Sequence, residues 1–201
     1  MTSIGVLVSG RGSNLQALID ASKDGTLGGE VGLVISNCPG VEALVRAERD
    51  GIPSLTLDHR GRSREVHDRE MASALQQAGV ALVCLAGYTR LVSRELLSCF
   101  PDRVLNIHPS LLPAFPGLNA QRQALEHGVR VTGATVHFVS EGLDQGPILL
   151  QEAVGVVPED TEASLSARIL EVEHRLYPTA VRTVLGGRYR IVGRRVLLEG
   201  A

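Results

Sequence analysis

The stretch Ile4-Gly-Val-Leu-Val-Ser-Gly-Arg-Gly-Ser-Asn14 decides the fold. Its apolar, β-branched first half predicts a buried strand, and the spacing of apolar residues over 15–21 predicts a helix directly after the glycine-containing turn. A helix that begins at such a turn offers unpaired backbone N–H groups and the positive end of its dipole to an anion. The opening stretch therefore predicts a strand, a turn that can bind phosphate, and a helix.

The same alternation of strand and helix continues through the first half of the chain. The predicted strands are short and apolar on both faces, which is typical of a parallel sheet covered by helices. Right-handed crossovers then favour an α/β fold with a doubly wound, mostly parallel sheet. The further strands are predicted at 31–35, 54–57, 80–85 and 104–107, and the further helices at 41–50, 64–78 and 94–99.

The pattern changes after Ile107. Three prolines within residues 108–117 exclude a regular helix or a central strand and predict a long ordered loop, which in a compact domain is usually functional. A short helix, two strands, a long helix with a kink at Pro178 and a small antiparallel hairpin about Gly193 are predicted to follow, with Thr161 as the N-cap of the long helix. These elements lie at 119–126, 130–139, 147–157, 161–184 and 188–198. We expect residues 1–201 to form one domain.

Composition excludes several classes of protein. The chain has 201 residues, a formal net charge of −2, 3% aromatic residues and no tryptophan, which disfavours nucleic-acid binding. No apolar run is long enough to span a bilayer and no basic leader precedes the first strand, so we expect a cytoplasmic protein with no membrane partner. The three cysteines form no Cys-x-x-Cys pair, which disfavours disulfides and zinc.

The sequence Asn106-Ile-His-Pro109 is the strongest candidate for chemistry. In a strand, residues two apart point to the same side, so Asn106 and His108 should converge, and Pro109 favours extended geometry at His108. The carboxyl end of a strand is where open α/β sheets bind ligands. A histidine can transfer protons near neutral pH and an amide can donate to an oxyanion. The alternative is that both residues are structural.

The residues alone do not decide between a functional and a structural role for the glycine turn, Asp144, His137 and a single Glu-x-x-His motif. Gly10 and Gly12 permit a close backbone approach to phosphate and Ser13 or Asn14 would cap the helix, but a plain tight turn explains the residues equally well. The missing third glycine disfavours a dinucleotide. By itself Asp144 is only a turn residue, His137 is as consistent with the core as with a site, and a single Glu-x-x-His motif does not predict a metal.

Four segments together resemble the phosphoribosylglycinamide formyltransferases, within the folate-dependent formyltransferase family. The resemblance runs from Ile4 to about Pro178. The segment at 106–113 followed by the segment at 143–148 is a combination specific to folate-dependent formyl transfer. The segments are Ser9-Gly-Arg-Gly-Ser-Asn14-Leu-Gln, Asn106-Ile-His-Pro-Ser-Leu-Leu-Pro113, Leu85-Ala-Gly-Tyr-Thr-Arg90 and Leu143-Asp-Gln-Gly-Pro-Ile148.

This resemblance implies a Rossmann-like formyltransferase fold and transfer of the formyl group of 10-formyltetrahydrofolate to the amino group of glycinamide ribonucleotide, in purine biosynthesis. Asn106, His108 and Asp144 match the catalytic trio of the family. Asn106 and His108 would hold the oxyanion of the tetrahedral intermediate, and Asp144 would steady the imidazole and help to move protons. The resemblance implies small-molecule substrates, no metal, and a monomer or homodimer.

The resemblance also implies the binding residues. Residues 1–105 would form a phosphate-binding half and residues 106–201 a catalytic and folate-binding half. At positions 118–121 the chain reads Leu-Asn-Ala-Gln where some members carry histidines. The ribonucleotide would be bound by Gly12, Ser13, Asn14, Arg64 and Glu173, and the folate by Arg90, Leu91, Val92, Val139, Ser140, Glu141, Gly142 and Leu143.

Two other functions stay open. One is a hydrolase that releases formate from formyltetrahydrofolate, and the other is a non-catalytic module that binds a phosphate-bearing ligand. The resemblance starts at residue 4 and ends near the chain terminus, so we expect neither the regulatory domain typical of the hydrolases nor the RNA-binding domain of the transferase that acts on initiator tRNA.

Overall fold

A computed structural model describes residues 1–199, which form one nine-stranded sheet with helices on both faces. The strands are β1 Ser3–Val8, β2 Glu30–Ser36, β3 Ser54–Thr56, β4 Val80–Leu85, β5 Val104–His108, β6 Val131–Phe138, β7 Ile148–Gly155, β8 Tyr189–Val192 and β9 Arg195–Leu198. The helices are α1 Ser13–Lys23, α2 Glu42–Arg49, α3 Arg64–Gln77, α4 Arg94–Cys99, α5 Ala120–Glu126 and α6 Glu162–Leu185. Within this part of the chain no helix is long and apolar enough to cross a membrane.

The sheet has the order β3-β2-β1-β4-β5-β6-β7-β9-β8. The first five strands of that order are parallel, and the order reverses at β1, so the carboxyl ends of β1 and β4 flank the switch point where open α/β sheets bind ligands. β6 pairs antiparallel with β5 and with β7, and β8 pairs antiparallel with β9. The predicted doubly wound, mostly parallel sheet with a C-terminal antiparallel pair is confirmed.

Side chains that alternate along the central strands build two cores, one on each face of the sheet. On one face, Val6 and Leu82 pack in the core formed with α1 and α6. On the other face, Leu7 and Val83 pack in the core formed with α3 and α4. Alternate burial on both faces explains why these strands are apolar throughout rather than at every second residue.

The second half also follows its predicted elements. Thr161 caps α6 in a capping box with Ser164, and the hairpin turns about Gly193 as expected. The helix continues through Pro178 to Leu185. Its buried face includes Tyr177, whose hydroxyl lies 2.9 Å from the carbonyl oxygen of Leu85 and 3.2 Å from that of Leu105. These hydrogen bonds attach α6 to β4 and β5.

We predict that Tyr177→Phe lowers the free energy of unfolding by about 1 kcal/mol, because it removes a buried hydrogen bond while it keeps the ring in place. Urea unfolding followed by circular dichroism would measure the change. Tyr189→Phe serves as the control, since Tyr189 is only partly buried and stacks on Phe138 through its ring. Equal stability of Tyr177→Phe and wild type would contradict the prediction.

Candidate active site

Two clefts open at the carboxyl edge of the parallel strands. The glycine-loop cleft has a volume of about 840 Å³ and lies between residues 10–14 and the amino-terminal half of α6. The histidine cleft has a volume of about 400 Å³ and is lined by residues 87–92, by Asn106 and His108, and by the turn that carries Asp144. Gly87, Ile107 and Pro109 line both clefts, so the clefts meet at the end of β5.

The alternation of side chains along β5 assigns its residues to the two faces of the sheet. Ile107 packs in the core formed with α1 and α6. Asn106 and His108 therefore point to the opposite face, as their spacing of two predicts, and both line the histidine cleft. The predicted convergence of the amide and the imidazole is confirmed.

The turn after β1 presents backbone rather than side chains to the glycine-loop cleft. Gly12 is the N-cap of α1, with φ of 73°, and no side chain caps the helix. The prediction that Ser13 or Asn14 would cap α1 is therefore wrong, because Gly12 takes the left-handed cap position and both residues belong to the first turn. The first turn carries no acidic side chain, so its free N–H groups and the helix dipole remain available to an anion.

The two glycines of this turn, Gly10 and Gly12, differ in the space around them. A Cβ at Gly12 would lie 2.6 Å from the Cβ of Ala43, so this position needs glycine both for its positive φ and for packing against α2. A Cβ at Gly10 would meet nothing within 4 Å. Only Gly10 has open space beside it, whereas Gly12 is held against the protein.

Asn14 and Glu173 form a buried polar pair in the glycine-loop cleft. Nδ2 of Asn14 donates to Oε2 of Glu173 over 2.7 Å, and Oδ1 of Asn14 is buried without a hydrogen-bond partner. Burial raises the pKa of the Glu173 carboxyl to about 7, and the hydrogen bond from Asn14 acts against this rise. The cleft thus holds one carboxylate oxygen engaged by the protein and further polar atoms available to a ligand.

The structure brings the three residues of the predicted trio together. Nδ1 of His108 lies 3.5 Å from Oδ2 of Asp144, while Nε2 of His108 lies 2.8 Å from the carbonyl oxygen of Phe115. Asp144 has φ of 51°, and its Oδ2 accepts a hydrogen bond of 2.7 Å from the backbone N–H of Gly117. Both ring nitrogens of His108 therefore lie near oxygen acceptors.

His137, which the sequence left open, belongs to the same cluster. Because β6 runs antiparallel to β5, His137 lies opposite Asn106, with 3.1 Å between Nε2 of His137 and Nδ2 of Asn106. Its Nδ1 lies 2.9 Å from the carbonyl oxygen of Phe138 and must donate, so Nε2 accepts from the Asn106 amide. Burial lowers the pKa of His137, which favours this neutral form. The hydrogen bond to His137 thus fixes the orientation of the Asn106 amide, with its NH2 group on the side of His137.

The proline-containing loop is held by a buried hydroxyl. Oγ1 of Thr135 donates to the carbonyl oxygen of Ser110 over 2.7 Å and accepts from the backbone N–H of Leu112 over 3.1 Å. Nε2 of Gln151 donates both to this hydroxyl and to the carbonyl oxygen of Leu112, each over 2.9 Å. The loop therefore approaches His108 with a fixed backbone, as expected for a long ordered loop.

The predicted folate residues line the histidine cleft with one exception. Glu141 is exposed and does not line it. Nη1 of Arg90 is buried without a hydrogen-bond partner. The seven that line it are Arg90, Leu91, Val92, Val139, Ser140, Gly142 and Leu143.

Of the predicted ribonucleotide residues, all but Arg64 line the glycine-loop cleft. Arg64 is the first residue of α3 and lies beside Glu65, on the helix layer of the other face of the sheet. Its position therefore gives no support to a contact with phosphate. In the part of the chain that the structure describes, no group of three or more His, Cys, Asp or Glu side chains is placed to hold a metal ion.

The fold and the paired clefts define a class of α/β enzyme in which a glycine-containing turn at a helix N-terminus and an Asn, His and Asp cluster face adjoining clefts at the end of one strand. The chain belongs to the formyl transferase family, whose sequence profile matches residues 2–181. The resemblance inferred from the motifs is thereby confirmed.

Three proteins that are similar to this chain show how far the similarity extends. The phosphoribosylglycinamide formyltransferase of Escherichia coli is 42% identical over 98% of this chain and 94% of its own. The crystal structure of glycinamide ribonucleotide transformylase 1 from Symbiobacterium toebii is 55% identical, superposes with a TM-score of 0.97, and is matched over 99% of this chain and 94% of its own. The trifunctional purine biosynthetic protein adenosine-3 of Drosophila melanogaster is 50% identical over 92% of this chain, which spans only 14% of that protein.

We predict that Glu173→Gln stabilises the protein at high pH only. The pKa of Glu173 rises from 4.5 to about 7 on folding, so wild type loses stability as the pH rises through this interval and retains the loss above it. The variant does not titrate, and its free energy of unfolding should exceed that of wild type by on the order of 3 kcal/mol above pH 7, with the difference vanishing below pH 4.5.

Urea unfolding at a series of pH values would test this prediction. Glu171→Gln is the matched control, because Glu171 lies on the same helix but is exposed, and its difference from wild type should not follow this pH profile. A difference between Glu173→Gln and wild type that stays constant between pH 4.5 and pH 8 would contradict it.

Proposed function

We propose that this chain transfers the formyl group of 10-formyltetrahydrofolate to the amino group of glycinamide ribonucleotide, a step of purine biosynthesis. The observation that carries the proposal is the junction of the two clefts at Ile107 and Pro109. An anion site on one side and an Asn, His and Asp cluster on the other are what a reaction between a phosphorylated amine and a formyl donor requires. Membership of the formyl transferase family and the names of the relatives covered nearly end to end also support it.

The ribonucleotide fits the glycine-loop cleft. Its phosphate would bind the backbone N–H groups at Gly12, Ser13 and Asn14, where the dipole of α1 favours negative charge. The free carboxylate oxygen of Glu173 would accept hydrogen bonds from the ribose hydroxyls. The amine would then extend past Ile107 towards the end of β5. In this arrangement residues 1–105 supply the phosphate contacts, with Glu173 added from α6.

The folate fits the histidine cleft. A pterin is a flat ring with several donors and acceptors, and such ligands bind in largely apolar clefts that contain a few directed polar groups. Val92 and Val139 supply apolar surface, and the irregular backbone of residues 87–92 and 140–144 supplies N–H and C=O groups. The formyl group on N10 would lie beside Asn106, His108 and Asp144.

The transfer proceeds without a covalent enzyme intermediate. The amine nitrogen attacks the formyl carbon, a C–N bond forms, and the carbonyl electron pair moves to oxygen. The Asn106 amide donates to this oxyanion, and His137 supports it by holding the amide in one orientation. The attacking nitrogen then loses a proton, N10 gains one, and the bond between the formyl carbon and N10 breaks.

His108 and Asp144 serve the charge and proton steps. A protonated His108 stabilises the oxyanion electrostatically and can supply the proton that N10 needs. The carboxylate of Asp144, 3.5 Å from Nδ1, stabilises the imidazolium. The backbone N–H of Gly117 fixes Asp144 in turn, so the carboxylate is directed by the proline-containing loop as well as by its own turn.

A formyl-transfer assay with and without glycinamide ribonucleotide tests the proposal. The release of tetrahydrofolate is followed spectrophotometrically, and formylated ribonucleotide is detected by mass spectrometry. We expect turnover only when both substrates are present. Formate release without the amine would indicate the hydrolase, and binding of the ribonucleotide without any reaction would indicate the non-catalytic module.

We predict that His108→Ala lowers kcat by about a hundredfold or more and leaves the KM for the ribonucleotide nearly unchanged. General acid–base and oxyanion contributions are of this size, and the ribonucleotide binds on the other face of the sheet. Steady-state kinetics with each substrate varied would measure both constants.

His59→Ala is the control for that experiment, because His59 lines neither cleft and its Nδ1 contacts the carbonyl oxygen of Asn37. Its kcat should stay near that of wild type. Unchanged kcat in His108→Ala would remove His108 from the mechanism, whereas a raised ribonucleotide KM alone would place it in the wrong cleft.

A further inference from the structure

The segment that joins β4 to α4, residues 86–93, forms one wall of the histidine cleft without regular secondary structure. The N–H of Ala86 at its start donates to the carbonyl oxygen of Leu7, and the carbonyl oxygen of Ser93 at its end accepts from Leu96 and Leu97. Between these ends, residues 87–92 belong to no helix or strand, so their conformation depends on contacts made from outside. On the proposed function this conformation decides which N–H and C=O groups meet the pterin. We refer to residues 86–93 as the cleft segment.

Two side chains outside the segment accept hydrogen bonds from its backbone. Oγ of Ser9 accepts from the N–H of Thr89 over 3.0 Å. Oδ2 of Asp68 accepts from the N–H of Ser93 over 2.5 Å. The two contacts enclose residues 90–92, which line the cleft.

Asp68 is held firmly on the far side of this contact. It lies on α3, its exposed fraction is 1%, and Nδ1 of the fully buried His67 is 3.4 Å from its Oδ1. Nε2 of His67 lies 2.7 Å from the carbonyl oxygen of Leu57 and must donate to it. Asp68 is therefore carried by a packed helix, which His67 attaches to the loop after β3, and neither the helix nor this loop lines the histidine cleft.

Ser93 donates its backbone N–H to Asp68, and its carbonyl oxygen accepts from Leu96 and Leu97 in the first turn of α4. It is the N-cap of α4, yet its own side chain makes no capping hydrogen bond and its Oγ is buried without a partner. The start of α4, and with it the end of the cleft segment, is thus oriented by Asp68. Burying a carboxylate costs free energy unless hydrogen-bond donors are held in place around it. An apolar side chain would fill the same space without that cost, so the carboxylate is better explained by its hydrogen bond to Ser93 than by packing.

We propose that Asp68 is a positioning residue for the folate cleft. By holding the N–H of Ser93 it sets the backbone of Arg90, Leu91 and Val92, and so the affinity for the pterin of the co-substrate. This inference rests on the proposed function. Asp68 touches no substrate and takes no part in proton transfer.

The position of Asp68 predicts a kinetic signature that a purely structural role would not give. Asp68 lies on α3, and Val92, next to the Ser93 that it holds, packs in the core formed with α3 and α4. Asn14 and Glu173 lie on α1 and α6, on the other face, where Ala86 at the far end of the cleft segment also packs. Loosening the segment should therefore raise the KM for 10-formyltetrahydrofolate and leave the KM for the ribonucleotide unchanged. A general loss of stability would instead reduce the amount of active enzyme and change neither KM.

The test compares Asp68→Ala and Asp68→Asn with wild type. Asp68→Ala should raise the folate KM about tenfold, as expected for the loss of a hydrogen bond to a charged group, with the ribonucleotide KM within about twofold of wild type. Asp68→Asn keeps an acceptor oxygen and should restore most of the folate affinity. Titration calorimetry with tetrahydrofolate should show the same order of affinities without turnover.

Asp50 provides the matched control. Its carboxylate is also largely buried, with a side-chain exposure of 8%, and it is bound by Lys23 and Gln16, but it lines neither cleft. Asp50→Ala should lower stability and leave both KM values at their wild-type levels.

Three results would overturn the positioning role while wild type remains active. They are an unchanged folate KM in Asp68→Ala, an equal rise of both KM values, and Asp68→Asn with the full defect of Asp68→Ala. If Asp68→Ala does not fold, Asp68→Leu takes its place, because leucine is similar in size and offers no acceptor to the N–H of Ser93, and an unchanged folate KM in Asp68→Leu overturns the role. Absence of ribonucleotide-dependent transfer by wild type would instead refute the proposed function.

Discussion

The two-residue repeat of β5 is the constraint on which the rest of the site depends. A strand directs successive side chains to opposite faces, so Ile107 closes the core on the side of α1 and α6 while Asn106 and His108 face the other side. The end of this single strand therefore separates the glycine-loop cleft from the histidine cleft and also joins them. Pro109, which lines both clefts, ends the strand at that junction.

The change from parallel to antiparallel pairing at β5 completes the site. Had β6 run parallel after a helical crossover, as β2 and β4 run beside β1, its following turn would lie elsewhere. The antiparallel return instead places His137 opposite Asn106 and carries the chain into the turn that holds Asp144. The cluster of Asn106, His108, His137 and Asp144 thus combines the carboxyl edge of a parallel sheet, the edge at which open α/β sheets bind ligands, with a hairpin that brings further side chains to the same edge.

Much of the fold could be predicted because the sequence clearly shows both the short apolar runs of buried strands and the 3.6-residue spacing of helices. The strands and helices lie within a few residues of their predicted bounds, and Asn106 and His108 converge for a reason visible in four residues. The contact between His108 and Asp144 could not be obtained this way, since it depends on a left-handed backbone at Asp144 and on the N–H of Gly117. His137 stayed open because a sequence does not state the direction of a neighbouring strand. The capping prediction failed because Gly12 takes the left-handed cap position, which places Ser13 and Asn14 in the first turn of α1.

The division between the two faces also bears on how specificity arises. On the proposed function, activation of the formyl group involves only Asn106, His108, Asp144 and their supports on one face. The choice of acceptor, whether a phosphorylated amine or water, depends on what fills the glycine-loop cleft on the other. On the same proposal, that cleft binds its ligand through backbone N–H groups and Glu173, whose pKa burial raises to about 7, and the buried carboxyl group lowers folding stability near neutral pH. The proposed contact between Glu173 and the ribose hydroxyls accounts for a carboxyl group at this buried position, which stability alone does not favour.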